Sequence, residues 1–153
     1  MRIAAVSTSA RKGEKKVNRS EITLVANHGV QGDAHADGTH RQLSLLALED
    51  VEYMRSLGAD VHPGDFAENI TTEGVVLHTL PVGTRFGIGK DIELVLTQIG
   101  KECHMGCAIR QQVGDCIMPR RGVFCRILKG GVVRPGDEFR VLSTPEVLPV
   151  QEG

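Results

Sequence analysis

Short apolar runs separated by glycine and polar residues recur along the whole chain, and they predict a domain built mainly of β-strands. Each run contains valine, isoleucine or leucine, and the predicted strands cover residues 2–7, 21–26, 42–46, 69–72, 85–88, 92–97, 123–128 and 138–142. The 18 glycines punctuate these runs, so we expect short elements joined by turns. One turn is predicted at Pro135 and Gly136.

Helical periodicity is clear in one place. Over residues 48–57 the apolar positions follow a helical spacing: Leu48, Val51, Met54 and Leu57. Glu49 and Asp50 stand where the first turn favours negative charge, and Gly58 is a suitable stop. A second short helix is predicted over residues 106–113, ending at Gly114.

These elements together predict a mainly β, β-barrel-like fold with one or two short helices. The βαβ alternation of a parallel α/β sheet is missing, and so is any G-x-G-x-x-G or P-loop motif. We expect one domain over residues 1–142. Residues 143–153 carry two prolines and little pattern, which predicts a flexible C-terminal tail.

Composition and charge argue against several classes of function. A formal net charge of −1, with four Phe, one Tyr and no Trp, argues against nucleic acid or an anionic membrane as partner. No apolar run approaches the roughly 18 residues of a membrane span. The N-terminal residues do not follow the order of a signal peptide. We therefore expect a cytoplasmic protein whose four cysteines are thiols or ligands rather than disulfides.

The first candidate segment for chemistry contains Asp33 and His35 and ends in Arg41 and Gln42. A loop this rich in polar groups is costly to order unless those groups are paired, and Arg suits phosphate or carboxylate. A basic stretch precedes it: Arg11, Lys12, Lys15, Lys16 and Arg19. The alternative interpretation is structural, with Asp33 and His35 capping a turn and Arg41 in an ion pair.

The second candidate segment is centred on Cys103, which follows a predicted strand and precedes the predicted short helix. With Lys101 and His104 beside it, the thiol could have a lowered pKa and attack sulfur donors as a thiolate. Alternatively, four residues could bind Zn²⁺ or an iron–sulfur cluster: Cys103, His104, Cys107 and Cys116. The spacing offers no C-x-x-C pair, which weakens that alternative.

The remaining cysteine and the common catalytic motifs add little. Cys125 lies in an apolar run, a position typical of a core residue. The sequence contains no G-x-S-x-G elbow and no H-E-x-x-H motif.

Several blocks, in this order, resemble the MOSC domain, named for the C-terminal domain of molybdenum cofactor sulfurase. The blocks are G-V-Q-G-D-A-H at 29–35, R-Q-L-S-L-L at 41–46, P-G-D-F-A-E-N-I-T-T-E-G at 63–74, L-P-V-G-T at 80–84, T-Q at 97–98 and a Gly-rich run at 122–137. They cover roughly residues 2–142.

The resemblance implies a β-barrel that binds molybdenum cofactor (molybdopterin) or carries sulfur through a cysteine after the Thr-Gln strand, here Cys103. It also implies cofactor-binding residues, to which we add Lys101: Asp33, His35, Arg41, Gln42, Asn69 and Lys101. The expected partners are molybdenum-cofactor synthesis proteins or a cysteine desulfurase, with molybdoenzymes as recipients. Whether the protein turns over as a sulfurtransferase-like enzyme or only carries sulfur stays open, as does a non-catalytic metal-binding or cofactor-delivery role.

The chain departs from the family pattern at the cysteine. Many members have P-R-x-P-C after Thr-Gln, whereas this chain has I-G-K-E-C at 99–103. The extra thiols could cooperate, one receiving sulfur and another resolving it. The pyridoxal-phosphate lyase domain of full-length sulfurases is absent from the sequence, so sulfur would come from a partner.

Overall fold

The computed structural model describes residues 1–9, 16–33, 42–100 and 121–145. Within these ranges the chain forms one α-helix, α1 (Leu48–Ser56), a short 3-10 helix at Leu77–Thr79, and eleven strands. The strands are β1 (Arg2–Thr8), β2 (Val17–Arg19), β3 (Ile22–Val25), β4 (Gly29–Val30), β5 (Leu43–Ala47), β6 (Ile70–Glu73), β7 (Arg85–Ile88), β8 (Ile92–Ile99), β9 (Val123–Lys129), β10 (Gly131–Val133) and β11 (Phe139–Ser143).

Eight strands form one sheet in the order β11-β7-β8-β9-β5-β6-β1-β2. All neighbours in it are antiparallel except β5 and β6, which are parallel. A bridge between Arg2 and Glu138 joins β1 to the residue before β11. The Ile3 N–H donates to the Asp137 carbonyl at 2.8 Å and the Phe139 N–H to the Met1 carbonyl at 3.0 Å. The sheet therefore curls round on itself, which confirms the mainly β, barrel-like prediction.

The main core fills the inside of the curled sheet. Along β8 the buried positions alternate, because Ile92, Leu94 and Leu96 point inward while the residues between them are only partly covered. A smaller sheet, β10-β3-β4, adds its apolar side chains to the same core. Its turn residue Asn27 donates its N–H to the Ile127 carbonyl at 3.0 Å, which ties the small sheet to β9.

Strand β5 is buried on both faces. Leu43 and Leu45 face the main core, whereas Leu46 belongs to a second apolar cluster with Val51 and Met54 of α1. Helix α1 therefore covers the outside of the sheet at this point. This accounts for a strand whose five residues are all buried, in place of the alternation seen along β8.

Every strand predicted from the sequence is present, with ends that differ by at most two residues. Helix α1 ends one residue before the predicted end, and Pro135–Gly136 forms a turn. The predicted helix at 106–113 and most of the predicted tail lie outside the described residues. Three short strands, β2, β4 and β10, were missed. Within the described ranges, no helix has the length and apolar character that crossing a membrane requires.

One feature of the fold was not predicted from the sequence: β5, α1 and β6 form a βαβ unit with parallel strands in an otherwise antiparallel sheet. The clue was the long stretch between the two strands, which contains a helix, as parallel neighbours need. A single such unit is difficult to recognise from the sequence when the strands before and after it follow an antiparallel pattern. Its consequence for the site is direct, because it brings the starts of β5 and β6 to the same end of the sheet.

Candidate functional site

Buried polar residues gather where β1 ends and where β5 and β6 begin. Since β5 runs parallel to β6 and β1 runs antiparallel to it, these three strand ends meet at one edge of the sheet. We call this the polar edge, and its residues are buried: Ser7, Ser9, Lys16, Asp33, Gln42, Ser44, Glu68 and Asn69. Three of the predicted cofactor-binding residues, Asp33, Gln42 and Asn69, belong to it.

Asn69 joins the three strands at the polar edge. Its side-chain oxygen accepts hydrogen bonds from the N–H and the hydroxyl of Ser44, both at 3.1 Å, and its Nδ2 donates to the Ser7 carbonyl at 3.2 Å. Its backbone carbonyl accepts from the Ser7 N–H at 2.8 Å. The amide thus connects β1 to β5 across the start of β6. The cofactor contact expected of Asn69 stays a prediction beside this structural role.

Asp33 forms a buried ion pair with Lys16. The two carboxylate oxygens lie 2.8 and 3.0 Å from the ammonium, and the side chains are 2% and 1% exposed. The Ser9 N–H donates to the same carboxylate at 2.9 Å. The sequence singled out both residues but not their pairing, because 17 positions separate them and no local pattern links them.

Gln42 carries a buried donor that has no hydrogen-bond partner among the residues that the structure describes. Its Oε1 accepts the Ile127 N–H at 2.9 Å, which fixes the orientation of the amide because an N–H can meet only its oxygen. Its Nε2 has no hydrogen-bond partner in the described part of the chain, although the residue is 1% exposed. Such a donor costs about 1–3 kcal/mol, so a ligand that offers an acceptor here would relieve that cost. Gln42 directly follows Arg41 in the chain.

Glu68 is the residue of this edge that sequence reasoning missed. Burial raises its pKa from 4.5 to about 7, and hydrogen bonds from the backbone, chiefly at Gly64, and from Thr71 offset only part of that rise. Its Oε2 accepts from the Thr71 hydroxyl at 3.1 Å, while Oε1 has no partner among the described residues. The available signal was one carboxylate inside the block F-A-E-N-I-T, whose neighbours are otherwise apolar or neutral.

The cysteine-bearing segment leaves the sheet between β8 and β9. The Gly100 N–H donates to the Gly122 carbonyl at 2.6 Å, and the Gln98 Nε2 donates to the Gly100 carbonyl at 2.7 Å. The first bond holds the chain after β8 against the chain before β9, at the base of the segment. Cys103 follows Gly100 by three residues, which limits its Cα to about 11 Å from that of Gly100. Farther along, Arg121 pairs with Asp50 of α1 at 2.8 Å.

Most residues of the predicted reactive and metal sites lie outside the described ranges. They are His35, Arg41, Lys101, Cys103, His104, Cys107 and Cys116, and their roles stay predictions. Within the described ranges, no group of three or more His, Cys, Asp or Glu residues could hold a metal ion. Cys125 is fully buried between β5 and β8, as predicted for a core residue, and desolvation raises its pKa.

The register of β5 relates the two candidate segments. Gln42 precedes β5, whereas Gly122 precedes β9, whose Val123 pairs with Leu45 near the other end of β5. Two strand spacings and about four residues of strand separate Gly100 from Gln42, which is roughly 16 Å. The base of the cysteine segment and the polar edge are therefore at opposite ends of one short strand.

A curled, mostly antiparallel sheet with one βαβ unit and a buried polar edge defines a small β-barrel domain. A family model for the MOSC domain matches residues 32–140, more than half of the chain, so the chain belongs to the MOSC domain family. This family is generally linked to the binding of molybdopterin or sulfur in molybdenum-cofactor chemistry.

Solved structures share the fold at low sequence identity. The chain is similar to the YuaD protein from Bacillus subtilis, with a TM-score of 0.76, 19% identity and coverage of 90% of this chain and 93% of that one. It is also similar to YiiM from Geobacillus stearothermophilus (0.68, 17%, 93% and 75%) and YiiM from Escherichia coli (0.63, 19%, 94% and 70%). No curated protein sequence matches the chain significantly.

Proposed function

We propose that this protein binds molybdenum cofactor, or a related sulfur-bearing group, and carries sulfur through Cys103 during cofactor maturation. Membership of the MOSC family supports the ligand class. The observation that supports binding in this particular chain is the orientation-fixed Nε2 of Gln42, which has no partner in the described part of the chain and directly follows Arg41 in sequence. The proposed partners are molybdenum-cofactor synthesis proteins or a cysteine desulfurase as suppliers and molybdoenzymes as recipients.

The polar edge fits part of the proposed ligand. A pterin carries carbonyl and ring-nitrogen acceptors, and the Gln42 Nε2 is a buried donor with no acceptor among the described residues. The ammonium of Lys16 is matched by the carboxylate of Asp33, so this pair adds no net charge for a phosphate. We therefore assign the phosphate to Arg41, with its fork of donors, and to Lys101. The bound cofactor would supply molybdenum and its sulfur ligands.

The proposed sulfur step needs only thiol chemistry. The thiolate of Cys103 attacks the outer sulfur of a persulfide on the donor protein, forming a new S–S bond at Cys103. The S–S bond of the donor breaks, and its cysteine leaves as a thiolate. One sulfur atom moves with no net change in oxidation state. The resulting persulfide on Cys103 is then available to the cofactor or to a recipient protein.

Chain geometry is compatible with one cleft for both functions. The base of the cysteine segment is roughly 16 Å from Gln42, while three residues of extended chain reach about 11 Å and an Arg side chain several more. These lengths are sufficient for Cys103 and Arg41 to contact one ligand of the size of molybdopterin, as the proposal requires.

A titration with molybdopterin cofactor, with elemental analysis of the bound fraction, tests the binding part. Gln42→Met should raise the Kd by about tenfold, because the ligand loses one buried hydrogen bond. The matched control is Thr72→Val, which removes another buried polar atom without a partner among the described residues. Thermal melting confirms that both variants are folded. Equal affinity of Gln42→Met and the parent would contradict the assignment of Gln42.

Intact-mass analysis tests the sulfur step. After incubation with a cysteine desulfurase and cysteine, the parent should gain the mass of one sulfur atom and Cys103→Ala should not. Cys125→Ala is the control, since Cys125 is buried in β9 and should leave the adduct unchanged. An adduct on Cys103→Ala equal to that on the parent would exclude the carrier role.

A further inference from the structure

Strands β7, β8 and β9 place two arginines on the outside of the curled sheet. Val95 of β8 is paired with Arg85 of β7 on one side and with Arg126 of β9 on the other. Residues next to them in sequence, such as Phe86 and Leu94, belong to the main core. Because side chains alternate along a strand, Arg85, Val95 and Arg126 point away from that core. The two arginines are separated by two strand spacings, which is roughly 10 Å.

Both arginines are exposed, and neither has a hydrogen bond or an ion pair to any residue that the structure describes. Two further cations, Lys129 and Arg140, lie on the adjacent row of the same surface, and each has a glutamate carboxylate at 3.8 Å. We call the surface defined by Arg85, Arg126, Lys129 and Arg140 the cationic face. It carries four cations and two carboxylates, whereas the whole chain has a net charge of −1.

Aliphatic side chains lie among the cations of this face. Leu142 of β11 is 44% exposed, and Val95 is partly exposed. A Cβ on Gly87 would lie 2.8 Å from Nη2 of Arg140 and 3.1 Å from Cδ2 of Leu142, so both side chains lie against the backbone of β7. Protein interfaces are enriched in arginine, which is weakly hydrated and suits carboxylates, and their centres are apolar. The composition of the cationic face is therefore similar to that of a protein-binding surface.

Helix α1 covers the neighbouring part of the same outer surface. Its apolar side chains form one cluster with Leu46 of β5 and Phe124 at the start of β9. Farther from α1, the outward side chains of Arg126, Val95 and Arg85 are exposed or partly exposed. A helix is about 10–12 Å wide including its side chains, so one helix lying along β8 fits between the two arginines.

We propose that the cationic face binds an acidic amphipathic helix of a partner protein. The helix would lie along β8, with an aliphatic stripe on Val95 and carboxylates on both flanks of that stripe. These carboxylates would pair with Arg85 and Arg126, because a planar guanidinium group binds a carboxylate through two hydrogen bonds. This docking surface goes beyond the proposed function and does not depend on it.

The charges of the face favour a protein helix over nucleic acid. All four phenylalanines are buried, so none of them is available for stacking on bases. The carboxylates of Glu93 and Glu138 lie among the cations and would repel a continuous phosphate backbone. The location also suits a partner protein, because Arg126 directly precedes Ile127, whose N–H donates to Gln42 of the polar edge. A helix bound to the cationic face would therefore lie beside the polar edge.

Fluorescence anisotropy with a labelled synthetic peptide tests the proposal. The probe is a blocked helical peptide with leucines along one stripe and glutamates on both flanks of it. One reference peptide has glutamines in place of the glutamates, and the other has its glutamates on the side opposite the leucines. The parent should bind the probe with a Kd below about 1 mM and at least about fivefold more tightly than either reference. Raising the ionic strength from about 0.05 M to about 0.5 M should remove most of the advantage over the glutamine peptide.

The test variant is Arg85→Gln combined with Arg126→Gln, which should raise the Kd of the probe at least about fivefold. The matched control is Arg55→Gln combined with Arg134→Gln, which removes the same charge from exposed positions on α1 and after β10 and should change the Kd by less than about twofold. Arg85→Glu combined with Arg126→Glu should release the probe and bind a peptide with lysines in place of the glutamates. Thermal melting verifies that these variants, which change only exposed side chains, are folded.

Two results with the parent would overturn the proposal: no binding of the probe, or equal affinity for the probe and for the peptide with its glutamates opposite the leucines. An unchanged Kd in the variant with Arg85→Gln and Arg126→Gln would also overturn it, because the probe would then bind elsewhere. A single-stranded oligonucleotide that binds the parent more tightly than the probe, and loses affinity in the same variant, would assign the face to nucleic acid instead.

Discussion

Replacement of Glu68 by glutamine should remove a large part of the pH dependence of folding. Glu68 is fully buried, and desolvation is the main cause of its raised pKa of about 7. In the unfolded chain the same carboxyl has water around it and an ordinary pKa of 4.5. The folded protein therefore binds this proton more tightly than the unfolded chain does.

The sign of the effect follows from that difference. Below about pH 4.5 the carboxyl is protonated in both states, and the stability that it contributes is fully present. As the pH rises through about 7 the folded state must lose the proton and bury a charge, so this contribution is lost. With pKa values of 4.5 and about 7, the loss between pH 5 and pH 8 is about 2.5 kcal/mol.

Urea unfolding at a series of pH values measures this directly. The free energy of unfolding of the parent, minus that of Glu68→Gln, should fall by about 2.5 kcal/mol from pH 5 to pH 8. Taking the difference cancels all titrations that the two proteins share. The glutamine oxygen can still accept from Thr71, but its amide leaves a buried donor, so the absolute stability at one pH is less informative than the slope.

Glu52→Gln is the matched control, because it removes one negative charge from the exposed face of α1. It should leave a nearly flat difference from the parent over the same range. A flat difference for Glu68→Gln as well would refute the reasoning, since it would mean that water or a structural adjustment solvates the carboxylate in the folded protein.

Three further predictions concern the frame of the polar edge. Gly64→Ala should lower the free energy of unfolding by about 2 kcal/mol or more, because its φ is +97° and the new Cβ would lie 2.6 Å from the Lys16 carbonyl oxygen; an unchanged urea midpoint would contradict this. Asn69→Ala should cost about 2–4 kcal/mol by the same assay, since it leaves the buried Ser44 N–H without its acceptor, and a loss below 1 kcal/mol would argue against the role of Asn69 in connecting β1 to β5. Cys125 should react with a thiol reagent only after urea unfolding, and its modification in native protein would show that β9 opens.

Local sequence pattern was sufficient for most of the fold. Strand β8 was predictable because its inward residues alternate, and α1 because its apolar positions recur at helical spacing over a negatively charged first turn. The order of the sequence blocks along the chain indicated the MOSC family, which the family model confirms. Neither source contained the parallel pairing of β5 with β6, because a strand buried on both faces has no alternation from which to infer its neighbours.

The polar edge was predictable as a set of residues but not as a set of contacts. Asp33, Gln42 and Asn69 drew attention by type, whereas their partners Lys16, Ile127 and Ser44 lie 17, 85 and 25 positions away. Such pairings arise only when the sheet brings distant strand ends together. Glu68 was missed because a single acidic residue in a block forms no recognisable pattern. Its raised pKa depends on burial, which the sequence does not show.

The contacts divide the residues of the polar edge into two sets with different roles. The polar atoms of Asn69 and the carboxylate of Asp33 are engaged by neighbouring strands, so these residues fix geometry. Gln42 Nε2 and Glu68 Oε1 are each buried with no partner among the described residues, in a domain whose total stability is of the order of 5–15 kcal/mol. A buried donor and a buried acceptor without such partners are each unfavourable for folding. Under the proposed function, a ligand that offers an acceptor to Gln42 would offset the first cost, so the binding and pH measurements should be made on the same variants.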